Sequence, residues 1–348
     1  MDGPDGVSFR LARTPGLSEA WLFQEVAMPR GGWRLLPTVD GDALELRFPL
    51  PEADRMEYLF ELVYTDGRSE LVCDPANPLR APGPFGDKSV IEFPGYRRPA
   101  WLDGGGVGRA RSELAVPVPS LGGELRAELW VAAGLAEGQP APLLVAHDGV
   151  EYARYSALVT YLERRTAEGG LPPMRAALLH PSSRDEHYSA SPAYAHALAT
   201  EVLPYLNTVA PTPPGRRWRA GMGASLGALA MLHAHRTRPA CFGGLFLQSG
   251  SFFHHRYDQH EIGFEQFQRV RHFMDRVHAA RDWDQPVPVV ITCGRVEANL
   301  PNNRAAGLAL RRQGYPVRFE AGRDGHNWTA WRDQFEPHLV ALLRELWA

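Results

Sequence analysis

The chain has 348 residues, 44% of them apolar and 22% charged, which is enough for ordinary cores and for more than one domain. The net charge is −3, with Lys88 the exception among arginines, so the strong positive field that nucleic acid or an anionic membrane calls for is excluded. No run of about 18 apolar residues exists to span a bilayer, and Met1-Asp2-Gly3-Pro4-Asp5 lacks the basic-then-apolar order of a secretory signal. Cys73, Cys241 and Cys293 are odd in number and far apart, which reads as reduced thiols without zinc spacing and predicts a cytoplasmic protein.

In chain order, two textures appear. Up to about residue 110 short alternating segments are broken by Gly and Pro. Met56 to Tyr64 reads as a strand with large side chains on both faces, and Thr65-Asp66-Gly67-Arg68 as a hairpin turn, because Asp-Gly tolerates positive φ. Asp74-Pro75-Ala76-Asn77-Pro78 is rigid loop, and Gly104-Gly105-Gly106 with Gly108 is the flexible end of the region. Residues 1–110 therefore read as a small all-β sandwich.

From 111 to 348 strands alternate with helices, which predicts an α/β domain with a mostly parallel sheet covered on both sides. Leu125–Val131, Leu143–Ala146, Ala176–Leu179, Arg217–Met222, Gly244–Leu247, Val287–Thr292 and Val317–Glu320 are the expected strands. Tyr155, Leu158, Val159 and Leu162 share a helical face, and Ser191-Pro192 caps a helix reaching Leu206. Further helices are expected near Leu226–His235, over Phe264–Ala280, and from Trp328 to Leu346.

Gly223-Ala224-Ser225-Leu226-Gly227 follows an apolar strand and precedes a helix rich in Ala and Leu. A Gly-x-Ser-x-Gly sequence in that context forms the strand-to-helix turn that exposes a nucleophilic serine, and it points to the α/β-hydrolase fold. Ser225 is the expected nucleophile. His326, in the glycine-flanked loop after Val317–Glu320, is the expected base; His233, His235, His254, His255 and His260 precede the place of the acid in the chain. That acid lies between serine and histidine in this fold, and Glu297 is the first carboxylate past its strand. Asp324 is its rival, while Asp282 and Asp284 stand at the wrong strand end. The oxyanion donors are expected to be the amides of Leu226 and, after the strand Leu143–Ala146, Val150.

These residues together resemble the enterochelin (ferric enterobactin) esterase family over nearly the whole length. The likeness is carried by Leu144 to Gly149, Arg184-Asp185-Glu186, Glu201 to Pro204, the serine turn, Gly294 to Glu297 with Asn302-Asn303-Arg304, and Gly325 to Trp328 with Trp331. In the first half it rests on Tyr58-Leu59-Phe60, Asp74 to Pro78, Gly86, Ser89 and Pro94, and there it implies an immunoglobulin-like lid domain. The resemblance implies cytoplasmic hydrolysis of the trilactone of a catecholate siderophore, with no metal or cofactor in catalysis and iron arriving with the substrate. Here Arg184 is followed by Asp185-Glu186-His187-Tyr188, which moves an acidic residue by one, and His147 stands where apolar residues are frequent. Arg184, Asp148 and Trp328 are the expected substrate-binding residues, with Arg295 a further basic candidate. Trp101, Phe252 and Phe253 suit either a catechol pocket or plain packing. A general carboxylesterase or feruloyl-type esterase, an acyltransferase, and an inactive binding module remain alternatives.

Overall fold

A computed structural model describes residues 6–103 and 111–347. The expected glycine linker at 104–108 and the expected boundary at residue 110 lie outside the described residues. The chain forms two compact units. The first is the chain up to Arg97 together with two short segments from far along the sequence, Gly294–Glu297 and Arg323–Asn327. The second holds Arg98–Cys293, Ala298–Gly322 and the chain from Trp328 onward.

The first unit is built from two antiparallel sheets. In one, Val7–Ala12 pairs with Ala43–Phe48, which also pairs with Leu36–Pro37. The other is ordered Trp33–Arg34, Leu17–Gln24, Arg55–Tyr64, Lys88–Glu92 and Arg80–Ala81, and Ser69–Val72 also pairs with Arg55–Tyr64. The Asp66-Gly67 turn joins these last two strands, with Gly67 at φ +85° as its sequence requires. Alternation sends Phe9 and Leu11 inward from one sheet and Met56, Tyr58 and Phe60 from the other into one shared core. Phe9 packs edge-on against Tyr58, with ring centroids 4.9 Å apart.

Among the described residues the second unit carries eight strands: β1 Ser112–Val118, β2 Gly123–Val131, β3 Leu143–Ala146, β4 Arg175–His180, β5 Arg219–Ala224, β6 Gly244–Gln248, β7 Val289–Gly294 and β8 Val317–Gly322. Across the sheet they run β1-β2-β4-β3-β5-β6-β7-β8. The β1/β2 and β2/β4 pairs are antiparallel, and β4/β3, β3/β5, β5/β6 and β6/β7 are parallel. This is the α/β-hydrolase arrangement that the serine motif predicted. The central strands are buried along their length, so alternate residues feed different cores: Leu143, Val145, Ala177, Leu179, Leu245 and Leu247 enter one, and Leu144, Ala146, Ala176, Leu178 and Phe246 the other.

Three helices differ from expectation. The face shared by Tyr155, Leu158, Val159 and Leu162 is split between Gly149–Tyr155 and Leu158–Ala167, because Ala157 takes a left-handed conformation at φ 52°. The helical run from Pro192 continues past Leu206 to Val209, through a wider turn at Leu198–Val202. The final helix is interrupted. Glu336 precedes Pro337, and the proline ring pushes it to φ −111°, ψ 125°, so Trp328–Asp333 and Val340–Trp347 are separate helical pieces. No helix among the described residues is long and apolar enough to cross a membrane.

Candidate active site

Ser225 sits between β5 and the helix Leu226–Thr237 at φ 54°, ψ −125°. A non-glycine residue in that region is strained, and the strain is held by the surroundings. Its amide donates to the Gln248 carbonyl at 2.9 Å, and its carbonyl accepts from the Ser251 amide at 3.1 Å. The turn is so tight that a Cβ on Gly223 would lie 2.5 Å from the carbonyl carbon of Gly227. This is the physical reason for glycine at that position. Ser225 remains half-exposed while the helix behind it is buried to His235. Its Oγ lies 3.1 Å from Ser251 Oγ.

The turn His147-Asp148-Gly149-Val150 follows β3 and opens a helix of its own at Gly149. Gly149 is packed against β4 so closely that a Cβ there would be 2.4 Å from the Leu178 Cα. His147 ties this turn to the serine helix. Its Nδ1 lies 3.0 Å from the Gly227 carbonyl, and its Nε2 2.9 Å from the Tyr194 hydroxyl. The ring stacks on Tyr188 at 4.3 Å. Burial, partly opposed by the Gly227 carbonyl, pushes the imidazole down to about 4, so it is neutral at ordinary pH. Val150 and Leu226 both stand in the first turn of a helix, where amides have no acceptor within the helix. The Val150 side chain lines a cavity of about 450 Å³ shared with Arg126 and His180.

Glu297 and His326 meet directly. His326 Nδ1 lies 2.7 Å from Glu297 Oε2, and Glu297 Oε1 accepts the Gly294 amide at 2.6 Å. The carboxylate is desolvated, with its side chain 2% exposed, whereas the imidazole is 23% exposed. A proton on Nδ1 facing the carboxylate leaves the lone pair on Nε2. The two loops touch along their backbones: a Cβ on Gly294 would lie 2.0 Å from the Asp324 carbonyl oxygen. Asp324, the rival acid, turns elsewhere. It accepts from Arg55 at 3.1 Å, from the Gly325 amide at 2.7 Å and from Asn327 Nδ2 at 3.0 Å. Burial raises its pKa, with Arg55 opposing.

The expected substrate-binding residues fall in two places. Arg184 and Asp148 bind each other as a forked pair, at 2.9 and 2.7 Å, so each neutralises its partner's charge. Trp328 is half-buried and packs at right angles on Tyr152 and Trp331, and its carbonyl accepts from Ser156 Oγ. Trp101, Phe252 and Phe253 are buried core residues; Trp101 packs on Tyr161, and Phe253 on Phe267. Sequence reasoning missed the bridging role of His147, and it missed Ser251 and Arg55. An unexpected histidine after a buried strand was a signal for the first; nothing local marks the other two.

The chain matches the family model Esterase ("Putative esterase") over residues 120–342. An iron(III) enterobactin esterase of Dickeya dadantii is 27% identical over 212 residues, covering 59% of this chain, and this chain covers 48% of that protein's length. An iron(III) enterobactin esterase of Escherichia coli O6:H1 is 24% identical over 340 residues, 94% of this chain and 79% of that one. Among solved structures, the enterobactin esterase of Shigella flexneri crystallised in the presence of enterobactin superposes with TM-score 0.76 at 19% identity, covering 98% of this chain and 92% of the other.

Proposed function

The chain belongs to the Esterase family, and from that premise we propose that it is a serine esterase hydrolysing the ester or lactone bonds of a catecholate siderophore such as ferric enterobactin, in the cytoplasm. The observation that carries the reading is Ser225, half-exposed and held at positive φ on a strand-to-helix turn.

Ser225 Oγ attacks the ester carbonyl while His326 Nε2 takes its proton. Glu297 keeps the histidine in the required tautomer and stabilises the imidazolium that forms. The amides of Leu226 and Val150 hold the oxyanion, each donor contributing about 3 kcal/mol. His147 supports this role, because it bonds the turn carrying one donor to the helix carrying the other. The alcohol leaves with the proton from His326, and water repeats the cycle on the acyl-enzyme. The names of the similar proteins support the siderophore as substrate.

One observation favours a second reading, a carboxylesterase or feruloyl-type esterase for less charged substrates. Arg184 is paired with Asp148, so the pair offers an anionic catecholate no net positive charge. The deciding experiment is hydrolysis of iron-loaded and iron-free enterobactin by the purified protein, followed by chromatography, with p-nitrophenyl acetate in parallel. Linear trimer, dimer and monomer are expected, and none from Ser225→Ala. Turnover of the aryl ester alone would keep the esterase and discard the siderophore. A chain that neither hydrolyses any ester nor takes up a fluorophosphonate probe would be an inactive binding module.

A further inference from the structure

The loop that carries His326 is gripped at both ends by consecutive residues of the N-terminal β region. The Asp54 amide donates to the Arg323 carbonyl at 2.6 Å, and the Arg323 side chain pairs with the Asp54 carboxylate at 2.8 Å. Next to it, Arg55 opens the strand Arg55–Tyr64 and is buried, with its side chain 3% exposed. Its guanidinium donates to Asp324 at 3.1 Å and to Asn327 Oδ1 at 3.5 Å, and on its other side to Glu57 at 3.2 Å. Glu57 is also 3.9 Å from Lys88, which is bonded to Glu25. Asp324 in turn accepts the Gly325 amide and Asn327 Nδ2, so one carboxylate organises the residues on both sides of His326.

A buried ion pair is a weak source of stability, because desolvation offsets its attraction and an apolar pair of similar volume often does as well. What a forked guanidinium supplies is direction. We propose that Arg55 is a positioning residue for the catalytic base: by fixing Asp324 and Asn327 it sets the His326 imidazole on Glu297, so the β region contributes to the chemistry itself. This rests on the reading of His326 as the base. Arg55 and Asp324 are 269 residues apart in the chain, and the bonds from Arg55 reach the loop at Asp324 and Asn327, on either side of His326, so its action runs through the loop.

The test uses the full chain and three variants, Arg55→Met, Arg55→Lys and the double variant Arg55→Met with Asp324→Asn, which leaves no unpaired charge on Asp324. Three quantities are read: Tm, the kcat and KM for an aryl ester, and the low-field proton resonance of His326 Nδ1–H, identified by its absence in His326→Gln. A displacement of about 1 Å in a catalytic group costs about 100-fold in rate. The expected result is a fall of about that size in kcat with KM within about two-fold, and a shifted or lost resonance, in Arg55→Met. The double variant is expected to regain Tm without regaining kcat, and Arg55→Lys to recover both readouts in part. If Arg55→Met fails to fold, the double variant decides. Wild-type kcat or an unmoved resonance in a folded variant lacking Arg55 overturns the proposal. A wild-type chain inert toward every ester refutes the esterase reading instead, and the resonance then still decides whether Arg55 positions His326.

Discussion

The serine turn and the histidine loop hold one candidate catalytic side chain each, by opposite means. Ser225 is held chiefly by backbone: glycines at 223 and 227, a strand before and a helix after, and main-chain hydrogen bonds to Gln248 and Ser251. The hydrogen bonds that fix Ser225 within the turn are main-chain, and His147, which bonds the Gly227 carbonyl from behind, is neutral. The histidine loop is held by buried charge. Its Asp324 pairs with Arg55, which pairs in turn with Glu57, and the partners come from opposite ends of the sequence. A backbone-built turn is robust to pH and to side-chain substitution outside its glycines. A charge-built loop is directional, and it depends on each ion keeping its partner.

That contrast can be broken most forcefully at the serine. Ser225→Ala is expected to lower kcat by about 10⁴- to 10⁶-fold while the fold persists, checked by burst kinetics and circular dichroism. Next comes the acid. Glu297→Gln is expected to cost about 10⁴-fold in kcat with little change in Tm, because it disturbs the tautomer and leaves the carboxamide in place. Asp324→Asn should do the reverse, with a modest rate loss and a stability loss of about 3 kcal/mol from the ion left behind on Arg55, read from urea denaturation. If Asp324→Asn were the slower enzyme and Glu297→Gln the faster, the acid assignment would be wrong.

Smaller effects sharpen the same comparison through pH. His147, His233 and His235 are each held at about 4, chiefly by burial. Their unfolded values are about 6.5, so as pH falls the unfolded chain binds protons first. The stability they contribute is complete above about pH 6.5 and is lost progressively toward pH 4. Calorimetry between pH 7.5 and 4.5 should show Tm falling across that window, and His233→Phe should flatten the fall. Glu57 has the opposite sign. Burial, against the pull of Arg55 and Lys88, raises it to about 7, above its unfolded value, so its contribution is full at low pH and lost as pH rises toward 7. Glu57→Gln is therefore expected to lose Tm relative to wild type at pH 5 and to close that gap at pH 7.5. A gap that stays constant with pH would show that Glu57 is charged throughout.

Much of the candidate site was legible as a set of positions, because its signals are local. Gly223 is dictated by a backbone that passes within van der Waals distance of itself, and Gly227 by the close approach of the His147 and Asp148 side chains; glycine is the residue that allows both. The strands β3, β4 and β6 announced themselves as short apolar runs because both of their faces are covered. The interruption at Glu336-Pro337 was missed although Pro337 was in plain view, because the apolar spacing of Trp331, Phe335, Leu339 and Leu342 survives it. The engagement of Arg184 by Asp148 was not visible either. Thirty-six residues separate them, and a charged pair carries no periodicity.

By itself the sequence determined the alternation of strands and helices in the second half, the serine turn, and the placing of His326 after two candidate carboxylates, Glu297 and Asp324, since each follows from period, glycine placement and position relative to a strand. Only the tertiary structure decided which carboxylate receives His326 and what holds its loop. Glu297 and Asp324 are both buried acids beside the same histidine, and their difference lies in direction: one faces the imidazole at 2.7 Å, the other faces Arg55 at 3.1 Å. Direction is a property of packing between distant segments, and one-dimensional patterns do not contain it.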